Sequence, residues 1–489
     1  MRCMRDARES MFIREDSSQG RLFSGTPVTV HVILERTVWH KIDRWILPVI
    51  TIFYLLSFLD RVNIGNARLY GLQKDLNISN KEYTIALTLT YVAYVSSELP
   101  SNLVLKRIGP SILLPTIMVL WGVVATLQGV VTNYQGLLAC RFFIGFLEGG
   151  VPGIVLYLSL FYPRQKLQTR IAMFFSAASL SGAFSGILAF GIRDLDGKRG
   201  HSSAAWIFLI EGAITVACGL AAFFILPRSP TSARFLTEQE KKYVAERLRE
   251  DRVMSKDPGV DAFSWSEVGG AFTSVQVILV GVIYFWNGVA LYGLAYFTPS
   301  IVQSLGYTSA AAQLMTVPPF AVSALVTVAA ALISDFYKCR GAVIIGGAVI
   351  CVAGFGLFLG STDHHIQYGS LFLSIPGTYL IQPALAAWNA NNSAPYIRRA
   401  TTMALGFMMT NSGGILATWL FGVLSPAPRY VKATQTLLIF SVLMGLFTAL
   451  NIWYLSRQNK TKAIARGSTD SSADAEKMGD RSPWFVYSM

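Results

Sequence analysis

Charge is scarce in this chain. Of its 489 residues, 14% are Asp, Glu, Lys or Arg and 53% are hydrophobic, whereas a soluble domain is about a quarter charged. Mean hydropathy is +0.46. A soluble protein of this length needs far more polar surface to cover its core, so lipid is the expected solvent for much of the molecule. Histidine is scarce too. His31, His40, His201, His364 and His365 lie outside the apolar runs, and none has metal-ligand spacing to an acid. No catalytic constellation, metal site or cofactor is implied. Cys3, Cys140, Cys218, Cys339 and Cys351 are odd in number and lack metal spacing, so no disulfide framework is expected. A phosphate-cradling glycine loop is missing, which argues against ATP-driven pumping. Acids are outnumbered, 28 to 41, for a net charge of +13. The basic residues form short clusters between apolar runs. That distribution speaks against nucleic acid and for loops beside an anionic leaflet. The first 44 residues lack the apolar core of a signal peptide, so the first span is expected to act as its own insertion signal.

What is present is a series of apolar runs. A membrane span needs about 20 mostly apolar residues. Twelve segments meet that length: 45–65, 83–105, 111–131, 137–159, 169–192, 205–226, 274–297, 313–334, 341–360, 369–390, 402–424 and 435–456. The expected fold class is all-α and polytopic, with a 6+6 arrangement. It has an N-terminal tail (1–44), a six-helix half (45–226), a linker (227–273), a second half (274–456) and a disordered tail (457–489). With the N-terminus inside, the inner segments carry 31 basic residues and the outer loops 8, which puts both termini in the cytosol. Lys106-Arg107-Ile108-Gly109 follows the second span. Lys338-Cys339-Arg340-Gly341 follows the eighth, preceded by Asp335. The match in position is a weak internal repeat.

Polar residues inside spans are costly and therefore informative. The first span holds Asp60 and Arg61, which point about 100° apart on a helix and so make a poor pair with each other. Each either meets a partner elsewhere or snorkels from the end of the span. The fourth holds Glu148 near its middle, with Arg141 two turns earlier on the same face. Gly145, Gly149 and Gly153 form a ladder that admits a neighbouring helix. Desolvation disfavours a carboxylate's charged form, so Glu148 is a candidate proton carrier. A static pair with an arginine is the structural alternative. The second span carries Tyr91, Tyr94, Glu98 and Asn102. Glu98, with Asn102 on its face, reads as a gate or interhelical contact, and Glu211 in the sixth span reads as structural. The second half is nearly free of acids and offers neutral groups: Trp286, Asn287, Tyr292, Tyr296, Gln382, Trp388, Asn389 and Asn411. Of these and the second-span tyrosines, Tyr91, Gln382, Trp388 and Asn411 are candidate substrate contacts; such residues also join helices. Arg141, Asp335 and Arg340 are candidate gating or structural residues. Asn77-Ile78-Ser79 is a glycosylation acceptor in an expected outer loop.

Several stretches resemble one family. Lys41-Ile42-Asp43-Arg44-Trp45, Leu59-Asp60-Arg61-Val62-Asn63-Ile64-Gly65-Asn66-Ala67, Glu98-Leu99-Pro100-Ser101-Asn102-Leu103, Arg141 to Gly149, Trp206 to Gly212 and Asn411-Ser412-Gly413-Gly414 are similar to the fungal anion:cation symporters, the allantoate-permease branch of the major facilitator superfamily. The resemblance covers residues 41–456. It implies the major facilitator fold of 12 transmembrane helices and proton-coupled uptake of a small organic anion across the plasma membrane. The carboxylate would be a vitamin, an allantoate-like acid or a sugar acid. It also implies that Asp60 and Glu148 couple the proton and that Arg61 and Asn411 bind substrate. The loop after the second span lacks the acidic residue of the general superfamily signature. The partners so implied are the anion, protons and the bilayer, with the protein a monomer. Export of a secondary metabolite is the alternative that sequence leaves open. A membrane-embedded enzyme would need a His, Asp or Cys cluster at one membrane face, and none is visible; a non-transporting receptor would signal on ligand binding without flux.

Overall fold

The computed structural model describes residues 28–151, 153–253, 265–337, 339–425, 427–466 and 479–489. Helices account for its regular structure, and no strand occurs among the described residues. Among the described residues, eleven helices are long and apolar enough to cross a membrane. The expected second span is the helix Asn80–Ile108, which is outside that set. Its polar stretch from Ser96 to Asn102 explains why a hydropathy criterion passes it over.

Side-chain caps and turns set where spans begin. Asn133 accepts from the Gly136 N–H at 2.7 Å and opens the fourth span. Ser202 caps the sixth and Asp363 the tenth, satisfying N–H groups that a helix leaves unpaired. Gly109, at φ 89°, turns the chain so that Pro110 starts the third span. Outward-facing side chains such as Phe224, Leu325 and Val349 are exposed, as a lipid-facing belt requires.

The fourth span departs from the single rod expected over 137–159. It is two helices, Tyr134–Glu148 and Gly153–Phe161. Gly149 and Gly150 lie in the break between them. The first piece is locked to the second span: a Cβ on Gly145 would stand 2.1 Å from the Thr90 carbonyl oxygen, and one on Gly149 2.0 Å from Ser97 Oγ.

The first helix, Val28–Leu69, has 42 residues, about 63 Å at 1.5 Å per residue. It therefore extends well beyond a bilayer core of about 30 Å, past the residue-45 boundary expected from hydropathy. Its projecting end holds the linker: Lys41 Nζ donates to Glu240 Oε1 at 2.6 Å, and Trp45 stacks on Phe235 at 5.8 Å. We call this the linker face.

Near the opposite face the two halves touch closely. A Cβ on Gly65 would lie 2.4 Å from the Tyr296 carbonyl oxygen, and one on Gly422 2.2 Å from Thr84 Oγ1. Gln313 donates to the Asn66 carbonyl at 3.2 Å, and Thr88 shares a hydrogen bond with Thr418 at 3.2 Å. These contacts join first span to seventh and eighth, and second to eleventh. They close the molecule on that side.

The expected disordered tail differs from the structure. The last span continues as helix to Arg466, and residues 479–489 pack against the linker face of the second half. Among the described residues Cys140, Cys218 and Cys351 are free thiols.

Candidate functional site

Between the halves lies a narrow, nearly closed cavity with a free volume of about 30 Å³, room for one or two waters. Aromatic residues are the largest group in its wall: Tyr54, Phe58, Tyr94, Phe174, Phe175, Tyr292, Tyr379 and Phe407. Its polar lining is Ser57, Arg61, Gln382, Thr410 and Asn411. Tyr54, Ser57 and Phe58 precede Arg61 by seven, four and three residues, so one face of the first span presents all four.

Arg61 sits at the centre of this arrangement. Its Nε donates to Glu148 Oε2 at 2.6 Å, and both side chains are buried. Its Nη1 donates to the Tyr292 hydroxyl at 3.0 Å, which in turn donates to Asn411 Oδ1 at 2.9 Å. One chain of bonds thus links the fourth, first, seventh and eleventh spans across the two halves. The guanidinium also lies over Tyr94 and Phe58, 4.8 and 5.3 Å from their centroids, in cation–π range. Glu148 keeps its second oxygen, Oε1, without a hydrogen-bond partner.

Asp60 points elsewhere. Trp121 Nε1 of the third span donates to its Oδ2 at 2.5 Å, inside the first half and outside the cavity lining. Arg141 is buried nearby, its guanidinium 5.9 Å from the Phe208 ring. Glu98 is buried below Tyr94 on the second span.

The remaining candidates divide. Gln382 lines the cavity and accepts from Asn287 Nδ2 at 3.0 Å. Tyr91 lies outside the lining; its hydroxyl donates to Tyr296 at 3.0 Å, in the closed interface. Trp388 is not in the cavity wall. Its indole N–H donates to the Ser488 carbonyl at 2.9 Å on the linker face. Six residues of helix turn it about 240° from Gln382, so the two could not share a site. Arg340 opens the ninth span and donates to Ser334 Oγ at 2.7 Å. The side chains of Asn102 and Asp335 lie outside the described residues. Asn77 is exposed on the closed face at φ 50°.

Sequence reasoning assigned no role to Phe58, Tyr94, Trp121 or Tyr292. The i−3 and i−7 spacing of Phe58 and Tyr54 from Arg61 was an available signal. The approach of Tyr292 and Trp121 depends on how separate helices pack.

Comparison with known proteins fixes the family. The Major Facilitator Superfamily pattern matches residues 50–418. The chain belongs to the major facilitator superfamily. It is a multi-pass membrane transporter and not an enzyme. Among its relatives, the high-affinity nicotinic acid transporter of Saccharomyces cerevisiae is 30% identical over 95% of this chain and 86% of its own length. The MFS-type transporter cnsO of Penicillium expansum is 33% identical over 91% of this chain and 89% of its own. The crystal structure of a D-xylose–proton symporter shares the fold, with a TM-score of 0.64, 15% identity and coverage of 82% of this chain and 96% of that one. In this transporter fold the cavity lies where the two halves meet, which is where a major facilitator transporter holds its substrate.

Proposed function

We propose that this transporter takes up a small organic acid together with a proton, and that the Arg61–Glu148 pair performs the coupling. The observation that carries this reading is the buried 2.6 Å contact between them at the cavity centre. While Glu148 is charged, the pair is neutral and offers an anion little attraction. A proton on Glu148, whose Oε1 is available, leaves Arg61 as an uncompensated cation. Its planar donors then suit a carboxylate. At 4 Å and an effective dielectric of about 20, one such pair of charges is worth roughly 4 kcal/mol. Proton and anion therefore favour each other's binding, and by linkage the effect is reciprocal. Asp60, held by Trp121, is a second proton-carrying group in the same half. Tyr292 relays the state of Arg61 to Asn411 in the other half.

The aromatic wall narrows the substrate. Eight rings in a wall with one cation, three of them against its guanidinium, suit a compact acid with a flat or apolar body better than a polyhydroxylated one. The relative named for nicotinic acid supports a carboxylate substrate. Uptake at the plasma membrane, cytosolic termini and a monomeric state complete the reading; the basic linker-face loops support the orientation.

Uptake of labelled monocarboxylates into liposomes tests it. Accumulation should rise as the outside is made more acidic, and an imposed proton gradient should drive it. Uptake indifferent to that gradient for every acid transported would overturn the coupling. On the same orientation Asn77 is glycosylated. An endoglycosidase should increase the wild-type protein's gel mobility and leave Asn77→Gln unchanged; equal mobility for both before digestion would show the site unused.

A further inference from the structure

The last eleven described residues are held by a receptor built from four spans. Asn392, past the end of the tenth span, grips the backbone of Ser488 at both ends: Oδ1 accepts from its N–H at 2.7 Å and Nδ2 donates to its carbonyl at 3.0 Å. Asn459 of the twelfth span does the same to Tyr487, at 2.9 Å in each direction. Trp388 adds its indole N–H to Ser488. The Arg340 N–H at the start of the ninth span donates to the Met489 carbonyl at 2.8 Å. Arg398 of the eleventh span forms an ion pair with Asp480, and both are buried. On its other side Arg398 stands 3.0 Å from Glu267 of the linker helix Trp265–Thr273.

With the segment in place the receptor groups are buried: Trp388 and Asn392 are 0% exposed and Arg398 3%. Buried amides and guanidinium groups need partners, and the segment supplies them. Two of the gripped helices carry cavity residues. Gln382 is six residues from Trp388 on the tenth span, and Asn411 is thirteen from Arg398 on the eleventh.

We propose that residues 479–489 form an intramolecular clasp that ties the linker-face ends of spans nine to twelve together and thereby positions Gln382 and Asn411 in the cavity wall. The clasp acts on the substrate only through those two residues. This rests on the reading of the cavity as the substrate site. Direct contacts also join these ends: Asn389 Nδ2 of the tenth span donates to the Thr402 carbonyl of the eleventh at 2.8 Å, and a Cβ on Gly341 of the ninth would stand 2.6 Å from Ile452 of the twelfth; the segment adds a tie common to all four. The segment crosses all four with directional bonds, so its removal loosens the wall without touching Arg61 or Glu148.

The experiment uses the full chain in liposomes with three variants: Asp480→Asn, Asp480→Glu and a chain stopped after residue 478. A spin label at Val486 reports docking, and a label pair at Ala400 and Lys460 reports the spacing of spans eleven and twelve. In the wild type, Val486 should be immobile and the label-pair distance narrow. Asp480→Asn and the shortened chain should broaden that distance and raise KM for the transported acid about fivefold (roughly 1 kcal/mol), with the maximal rate per transporter little changed. Asp480→Glu should restore both values. A mobile Val486 in the wild type overturns the clasp. So does a shortened chain with wild-type spacing and KM. If no acid is transported by any form, the substrate-site reading has failed, and the label distances alone still decide the clasp.

Discussion

Arg61→Ala is expected to abolish transport of the anion, with apparent affinity weakened by at least about 100-fold, the scale of losing two charge-assisted hydrogen bonds at roughly 1.5–3 kcal/mol each. The effect has two parts. The substrate carboxylate loses its fork of donors, and Glu148 is left as a buried charge without its partner, itself a cost of about 3–5 kcal/mol. Arg61→Lys separates them. A lysine keeps the positive charge for Glu148 but not the planar bidentate geometry, so it should restore folding and expression while recovering only part of the affinity. Binding measured by calorimetry on purified protein, beside surface expression, checks this. An Arg61→Ala protein with wild-type affinity would remove Arg61 from the substrate site.

Glu148→Gln should separate transport from the proton. Glutamine still offers an oxygen to Arg61 Nε, so the local fold survives, but it cannot load or release a proton. The variant resembles the protonated state permanently. Substrate exchange between equal pools should continue and become insensitive to pH, while proton-driven accumulation should fall to background. Anion affinity at alkaline pH should match or exceed that of the wild type, because Arg61 no longer faces a competing carboxylate. Parallel exchange and accumulation assays in liposomes give the answer. Accumulation with unchanged pH dependence would move the coupling to another group, with Asp60 next in line.

The apolar runs made the helices legible, because length and hydropathy are local properties. The second span shows the limit: its polar stretch serves the interior, yet a hydropathy average counts it against membrane insertion. The ionisable residues were legible for a similar reason, since Asp60, Arg61 and Glu148 stand out in any apolar run. Their partners were not. Adjacent residues on a helix diverge, but only packing decides that Arg61 meets Glu148 and Asp60 meets Trp121. Trp388 was grouped with Gln382 by proximity in sequence, whereas its partner Ser488 lies 100 residues away. The end of the chain carried an overlooked hint. Trp484-Phe485-Val486-Tyr487 is an aromatic, β-branched cluster that a solvated tail has little use for.

The broken fourth span has a mechanical meaning. Glu148 is the final residue of the piece bolted to the second span through Gly145 and Gly149. Val151 and Val155, which line the cavity, lie in the break and on the second piece. The span is therefore jointed: its first piece carries the ionisable group, while the break and the second piece, itself buried, carry wall. Glu148 and the wall beside it thus sit on separately packed segments of one span, so a change in one does not by itself displace the other.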